Sequence, residues 1–381
     1  MFKQRSAVLT TIVVVIALLG VRHARADMAG GVLATPSGAS TQAQARMRYV
    51  AAGDMHTCAI LHNGNIKCFG LGADGQLGNG TGLDSGYSTS SSVATTAAIE
   101  LGLRRTARAI AVGSAHSCAL LDNFTVKCWG RSTYGQLGYG DTVSRGDGAG
   151  EMAALVAIDF GAGRTATAIA VGSLHSCALL DNSAVKCWGR NQYGQLGYGD
   201  TDSRGDGAGE MGVALPAIDF GTGRTARAIA AGKYFTCALL DNFAVTCWGA
   251  NTGGQLGLGD TTDRTSPTAL TAIDFGSGLT ARALSAGDDH VCAILDDGAL
   301  KCWGSAGNGR IGSGGTSNIG DGTGEMGANL AAVSLGSSGT AMAVSAGQAH
   351  TCVVFTSTEV KCFGDGGTGR LGHNSQTTLG D

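Results

Sequence analysis

The chain has 381 residues, with 64 glycines, 3 prolines, 12 cysteines, 14% charged residues and a formal net charge of −3. So much glycine with so little proline suits tight turns between short buried strands and argues against collagen or disorder. With no basic field and no lysine or arginine stripe to follow a phosphate backbone, nucleic acid is not expected as a partner.

The N-terminus carries Lys3 and Arg5, an apolar run of 15 residues from Ala7 to Val21 closed by Arg22, and Ala24-Arg25-Ala26 before Asp27. A membrane span needs about 20 apolar residues. The shorter run with its small-x-small ending therefore reads as a signal peptide over 1–26, cleaved after Ala26, with an uncleaved anchor as the alternative. Either reading places the rest of the chain outside the cytoplasm, as a secreted, periplasmic or cell-surface protein, with no stable membrane span after cleavage. Residues 27–48 form an N-terminal segment in which Gly31-Val32-Leu33-Ala34-Thr35 reads as a strand without a unit of its own.

From 49 to 381 one unit recurs six times, every 55 to 60 residues. Its first copy reads Val50-Ala51-Ala52-Gly53, His56-Thr57-Cys58-Ala59-Ile60-Leu61, Lys67-Cys68-Phe69-Gly70 and Gly75-Gln76-Leu77-Gly78. Such a unit cannot bury its apolar faces alone and must stack on its neighbours. In the second copy four strands are expected: Ala109 to Val112, Ala115 to Leu121, Thr125 to Trp129 and, after a long loop, Ala153 to Phe160. The expected fold is thus all-β, a propeller of six four-stranded blades. Phe69, Trp129, Trp188, Trp248, Trp303 and Phe363 fill the space between blades. The sixth copy ends soon after Gly369-Arg370-Leu371-Gly372, so the Gly31 to Thr35 strand is expected to supply its fourth strand and close the ring.

The cysteines fall in pairs ten positions apart: Cys58/Cys68, Cys118/Cys128, Cys177/Cys187, Cys237/Cys247, Cys292/Cys302 and Cys352/Cys362. A three-residue loop centred on Asn123 places Cys118 opposite Cys128 in a hairpin, close enough for a disulfide. Zinc sites space paired ligands by two to four residues, whereas here nine intervene. With an export signal in front, six disulfides follow.

A histidine stands two residues before the first cysteine of each pair, as His56, His116, His175, His290 and His350, with Phe235 in the fourth copy. Because Phe235 is accepted there, the position reads as packing rather than as a metal site. Arg145-Gly146-Asp147 and Arg204-Gly205-Asp206 spell an adhesion tripeptide, but they are copies of one loop whose third version reads Ile319-Gly320-Asp321. The same loops bear Asp147/Glu151, Asp206/Glu210 and Asp321/Glu325, too few oxygens for a calcium loop. No nucleophile with a base, and no dinucleotide fingerprint, stands apart from the repeat. Neither enzyme activity nor a cofactor is expected.

The glycine before a histidine, the small apolar strand, the Asp/Asn turn, Trp-Gly and Gly-Gln-Leu-Gly resemble the regulator of chromosome condensation repeat family, over about residues 49 to 374. The paired cysteines, and loops such as Arg204 to Gly212 followed by Ala217 to Gly221, are similar to its exported branch. The resemblance implies a ring-shaped propeller. Its best-known members have seven blades, which makes seven the alternative to the six counted here. The expected function is an exported, disulfide-stabilised scaffold that binds a protein or a surface polymer through its loops. The candidate elements are Gly82 to Val93, Thr262 to Pro267, and the loops carrying Arg145, Asp147, Glu151, Arg204, Asp206, Glu210, Asp321 and Glu325. Nucleotide exchange on a small GTPase, implied by the family, and inhibition of a secreted enzyme are the alternatives.

Overall fold

The structure, a computed structural model, describes residues 47–86, 96–336, 339–372 and 375–381. The signal segment, the Gly31 to Thr35 strand and residues 87–95 of the first variable loop lie outside the described residues. Eighteen strands form six three-stranded antiparallel sheets, each built from consecutive strands. The first holds β1 (Met47–Ala52), β2 (His56–Leu61) and β3 (Ile66–Gly70), and the second β4 (Ala107–Val112), β5 (His116–Leu121) and β6 (Val126–Gly130). The first strands of consecutive sheets touch, so the sheets stand side by side.

The hairpin register follows from its turn. Phe124 takes a left-handed φ of 64°, and Asn123 Oδ1 accepts from the Thr125 amide, which closes a three-residue loop. Cys118 then falls opposite Cys128, and the same register recurs in every unit. Bridges therefore join Cys58 to Cys68, Cys118 to Cys128, Cys177 to Cys187, Cys237 to Cys247, Cys292 to Cys302 and Cys352 to Cys362, at Cα separations of 4.0–4.1 Å. Each links the second strand of a sheet to the third.

Among the described residues no fourth strand pairs with these sheets. Glu151–Ala154 is a single helical turn, and the outer edge of β6 is met at separate points rather than by a ladder, with the Tyr139 hydroxyl on the amide and carbonyl of Cys128. Arg145 bridges Gly130, and the Ile158 amide donates to the Val126 carbonyl at 2.9 Å. Leu155, Ile158 and Phe160 are buried while Val156 and Asp159 are exposed, a spacing that anchors the segment by side chains instead of pairing it as a ladder. Asp159 Oδ1 accepts from the Gly161 amide to turn the chain, and Phe160 meets Trp188 of the next sheet at 5.7 Å. In the sixth unit Leu379 makes the equivalent bridge to Gly364 from the chain's last residues. Val360 of that unit is 40% exposed, although its counterparts Val126, Val185 and Val245 are fully buried.

Between sheets, Trp129, Trp188, Trp248 and Trp303 are fully buried, each against a glycine of the preceding unit: Gly78, Gly138, Gly197 and Gly257. Phe363 lies against Gly312 in the same way, whereas Gly372 has nothing within 4 Å among the described residues and Phe69 is half-buried. At the turns after the first strands a second set of glycines admits neighbouring backbone. A Cβ on Gly172 would lie 2.3 Å from the Gly232 carbonyl oxygen and 2.3 Å from His175 Cε1. Gly172→Ala is therefore expected to lose about 1–3 kcal/mol to overpacking, while Gly315→Ala, with nothing within 4 Å, stays near wild type. Urea unfolding of the two variants checks this; equal midpoints would remove the steric argument.

Candidate binding face

The turns after each first strand and the loops after each third strand emerge at the same end of the sheets, as the Leu71 amide bonded to the Met55 carbonyl and the Arg131 amide bonded to the Ala115 carbonyl show. The described parts of the candidate loops belong to this end.

The cysteines are no part of that surface. Cys58, Cys118, Cys177, Cys237, Cys292 and Cys352 lie on second strands, and Cys68, Cys128, Cys187, Cys247, Cys302 and Cys362 on third strands. All are buried as cystines, so their sulfurs staple the frame and offer no thiolate to a metal or a substrate. Cys247 packs beside Phe235 and Trp303, Cys302 beside Ile311 and Phe363, and Cys362 beside Leu371.

The histidines do not meet at a common point. Four of the five reach the following sheet: His56, His116, His175 and His290 place Nε2 2.8–2.9 Å from the hydroxyls of Ser117, Ser176, Thr236 and Thr351. Those hydroxyls donate to the main-chain carbonyls of Gln76, Gln136, Gln195 and Arg310. The hydroxyl proton is thereby used, so the imidazole donates from Nε2 and leaves Nδ1 bare and unpartnered. Trp129, Trp188 and Trp248 donate their indole N–H groups to the same three glutamine carbonyls at 3.0 Å. One carbonyl thus holds two side chains of the next sheet. Between the fourth and fifth units Phe235 replaces the histidine and Val291 replaces the hydroxyl, both fully buried in one cluster. The polar pair has been exchanged as a pair. Burial, together with the neighbouring imidazoles His56 and His175, pushes His116 down to about 3. Burial likewise lowers His175 to about 3 and His56 to about 4. His290 also falls to about 3, through burial and then the Arg310 charge.

The loop residues singled out in the sequence shape their own loops. Arg145 grips Asp141 through two bonds of 2.9 and 2.7 Å and lies over the Tyr139 ring, and Arg204 pairs with Asp200 at 2.7 Å. Glu151 accepts from the Gly146 and Gly148 amides, Glu210 from Gly205 and Gly207, and Glu325 from Gly320 and Gly322, all within 2.9 Å. The Gly148 amide leads in holding the Glu151 carboxyl below its usual range. Burial raises Asp206, Asp321 accepts from Asn318, and Asp147 is exposed. Each loop docks on the preceding unit, with the Gly80 amide bonded to the Gly146 carbonyl and the Gly140 amide to the Gly205 carbonyl. A left-handed φ of 106° at Gly146 permits that approach.

A cleft of about 490 Å³ lies between the fourth and fifth units, lined by Leu258, Arg264, Leu270, Asp274 and Met326. Its charges are already engaged: Arg264 pairs with Asp260, and Asp274 accepts from the Gly276 amide. The first-strand turns carry a different chemistry. Lys233 lies 3.8 Å from Asp288, whose carboxyl is pushed up to about 6 by burial and by Asp54, against the pull of Lys233. Sequence reasoning passed over this position because it sits inside the repeat. The signal was variation at one repeated site, which reads Asp54, Ser114, Ser173, Lys233, Asp288 and Gln348 around the units.

Three-stranded sheets set side by side, joined by indole-on-glycine seams and carrying their loops at one end, define a repeat protein of the β-propeller class. The profile of the RCC1-like domain matches residues 19–379, and the chain belongs to that family. It is 30% identical over 267 residues to the ultraviolet-B receptor UVR8 of Arabidopsis thaliana, covering 70% of this chain and 54% of the relative. It is 27% identical over 265 residues to the mitochondrial RCC1 domain-containing protein RUG3 of the same plant, covering 68% and 54%. The chain therefore spans about half the length of these relatives. Among solved structures, human WBSCR16 superposes with a TM-score of 0.69 at 18% identity, covering 89% of this chain and 81% of the other. Yeast RCC1 (Prp20), solved with Kap60, gives 0.66 at 20% identity, covering 88% and 73%.

Proposed function

We propose that this chain is an exported, disulfide-stapled propeller of six blades that binds another protein through its loop-bearing face. The observation that carries the reading is the division of labour among polar groups. Histidines, tryptophans, loop arginines and loop glutamates that recur between units are bonded within the frame, whereas Tyr134, Arg190, Tyr193, Lys233 and Tyr234, which depart from the repeat, stand together at the loop end of the sheets. Six disulfides suit an oxidising, extracellular compartment and weigh against a cytosolic GTPase as the partner. Closure by Gly31 to Thr35 on the outer edge of the sixth sheet is part of the proposal. Exposed Val360 supports it, since the equivalent outer-edge positions Val126, Val185 and Val245 are fully buried in their units.

The test joins location to binding. The mature protein is expected to begin at Asp27, to contain no alkylatable thiol, and to retain a protein ligand whose capture falls at least tenfold when loop 204–212 is replaced by loop 319–327. Free thiols in a cytosolic fraction, or capture indifferent to every loop exchange, would overturn the reading.

A further inference from the structure

On this face, five residues that depart from the repeat touch one another. Tyr134 and Tyr193 occupy a position that reads Asp74, Gly253, Asn308 and Thr368 elsewhere; Tyr234 stands where Met55, Ala115, Leu174, Asp289 and Ala349 stand. The Arg190 guanidinium lies over the Tyr134 ring at 4.9 Å and over the Tyr234 ring at 5.4 Å. Tyr193 meets Tyr234 with ring centroids 5.2 Å apart, and Lys233 Nζ sits 5.7 Å from the Tyr234 ring. Three units thus contribute to one patch.

Lys233 pairs with Asp288, but Arg190 and the three tyrosine hydroxyls are unspent. Arg145, Arg204 and Arg264 each hold a carboxylate, whereas Arg190 bonds only the Gln192 side chain and has no carboxylate in reach among the described residues. The hydroxyls of Tyr139 and Tyr198 are bonded to the backbone of Cys128 and Cys187. Those of Tyr134, Tyr193 and Tyr234 have no protein partner among the described residues. Rings placed over the guanidinium hold it in place and leave its N–H groups for a planar acceptor, and a carboxylate matches that fork. Tyrosine and arginine are also enriched at protein interfaces, tyrosine because it brings large contact area at small ordering cost and arginine because rings already stacked on it hold its fork in place.

We propose that Tyr134, Arg190, Tyr193, Lys233 and Tyr234 form a docking surface for an acidic segment of a partner protein, with a partner carboxylate on Arg190 and its neighbouring side chains on the tyrosine rings. The flank decides the partner's class. Asp54, Asp288 and Asp289 border the patch on the adjoining turns, so a uniformly anionic polymer meets repulsion where a protein segment of mixed charge does not. The proposal deepens the protein-binding reading above and rests on it.

The experiment selects a random 12-residue peptide library on the oxidised full-length protein. Enriched peptides are expected to carry Asp or Glu beside an aromatic or aliphatic residue. Their affinity falls at least tenfold for Arg190→Ala and for Tyr234→Ala, and is unchanged for Arg224→Ala, whose residue pairs with Asp241 at the opposite end of the sheets. Unchanged melting temperatures keep these variants comparable. Four outcomes overturn the proposal: no acidic enrichment; equal affinity for the Arg190 and Arg224 variants; displacement by dextran sulfate better than by the peptides, which marks general anion binding; or a dimer that Arg190→Ala dissociates, which makes a second copy the occupant. Capture of the protein ligand that is sensitive to loop exchange but indifferent to Arg190→Ala leaves the scaffold reading standing and removes the patch alone.

Discussion

Reduction of the six disulfides is expected to unfold the protein under conditions in which the oxidised form is fully native. Each bridge spans a sequence separation of 10, and a closed loop of that size restricts the unfolded chain by about 3 kcal/mol in the chain-entropy account. Six such loops together are comparable with the whole net stability of an ordinary domain, about 5–15 kcal/mol. The location of the bridges strengthens the effect. Every one lies inside a single hairpin, and each sheet packs chiefly on its sequence neighbours, so a unit that loses its bridge has little distant structure to hold it. The cysteines are buried, from 0% to 7% exposed, so reductant enters only when a unit opens; the measurement needs urea with and without dithiothreitol after long equilibration. The most exposed of them, Cys362 in the sixth unit, should be the first to become alkylatable, ahead of Cys247 and Cys302. Loss of one bridge, as in Cys177→Ala with Cys187→Ala, should lower the unfolding free energy by about 2–4 kcal/mol. Coincident urea transitions for oxidised and reduced protein would show that the bridges are not what stabilises the sheets.

The parts of this fold that were legible in the sequence are those set by short-range chemistry. The Asp122-Asn123 turn, with Phe124 in a left-handed conformation, sets the hairpin register, and the register sets the cystine; ten-residue spacing is enough to read both. The segment Ala153 to Phe160 was misleading because its buried residues at 155, 158 and 160 look strand-like by composition, yet their spacing serves side-chain anchoring and a turn at Asp159. The seams were hidden for a different reason. His116 and Ser176 are 60 residues apart, and only the joint exchange to Phe235 and Val291 betrays that the two positions face each other. The patch around Arg190 was not legible because its members sit at fixed positions of the repeat, differ only in residue type, and meet only when three units stand side by side.

Acid should destabilise the folded protein steeply, and the cause is again in the seams. The sign is fixed by the lowered histidines: between the ordinary value of 6.5 and the folded values of about 3 to 4, the unfolded chain takes up protons that the folded chain refuses. Stability is then complete above pH 6.5 and falls as the pH drops through this window. Each histidine costs up to about 1.4 kcal/mol per pH unit, so His56, His116, His175 and His290 together remove about 6 kcal/mol between pH 6.5 and 5. Asp288 runs the other way, because its folded carboxyl is raised to about 6 and binds a proton sooner than the unfolded one, but it is one group against four. The fourth seam supplies the control, since Phe235 against Val291 shows that this architecture accepts an apolar pair. Ser176→Val alone strands the buried His116 N–H and should cost about 1–3 kcal/mol at pH 7. Adding His116→Phe should recover most of that loss and shrink the pH 7 to 5 difference by about one quarter. Urea unfolding of wild type, single and double variants at pH 7 and pH 5 measures both quantities. A wild-type unfolding free energy that stays level from pH 7 to 5 would mean that the imidazoles are protonated in the folded state, with Nδ1 sharing a proton that the geometry of the seam denies it.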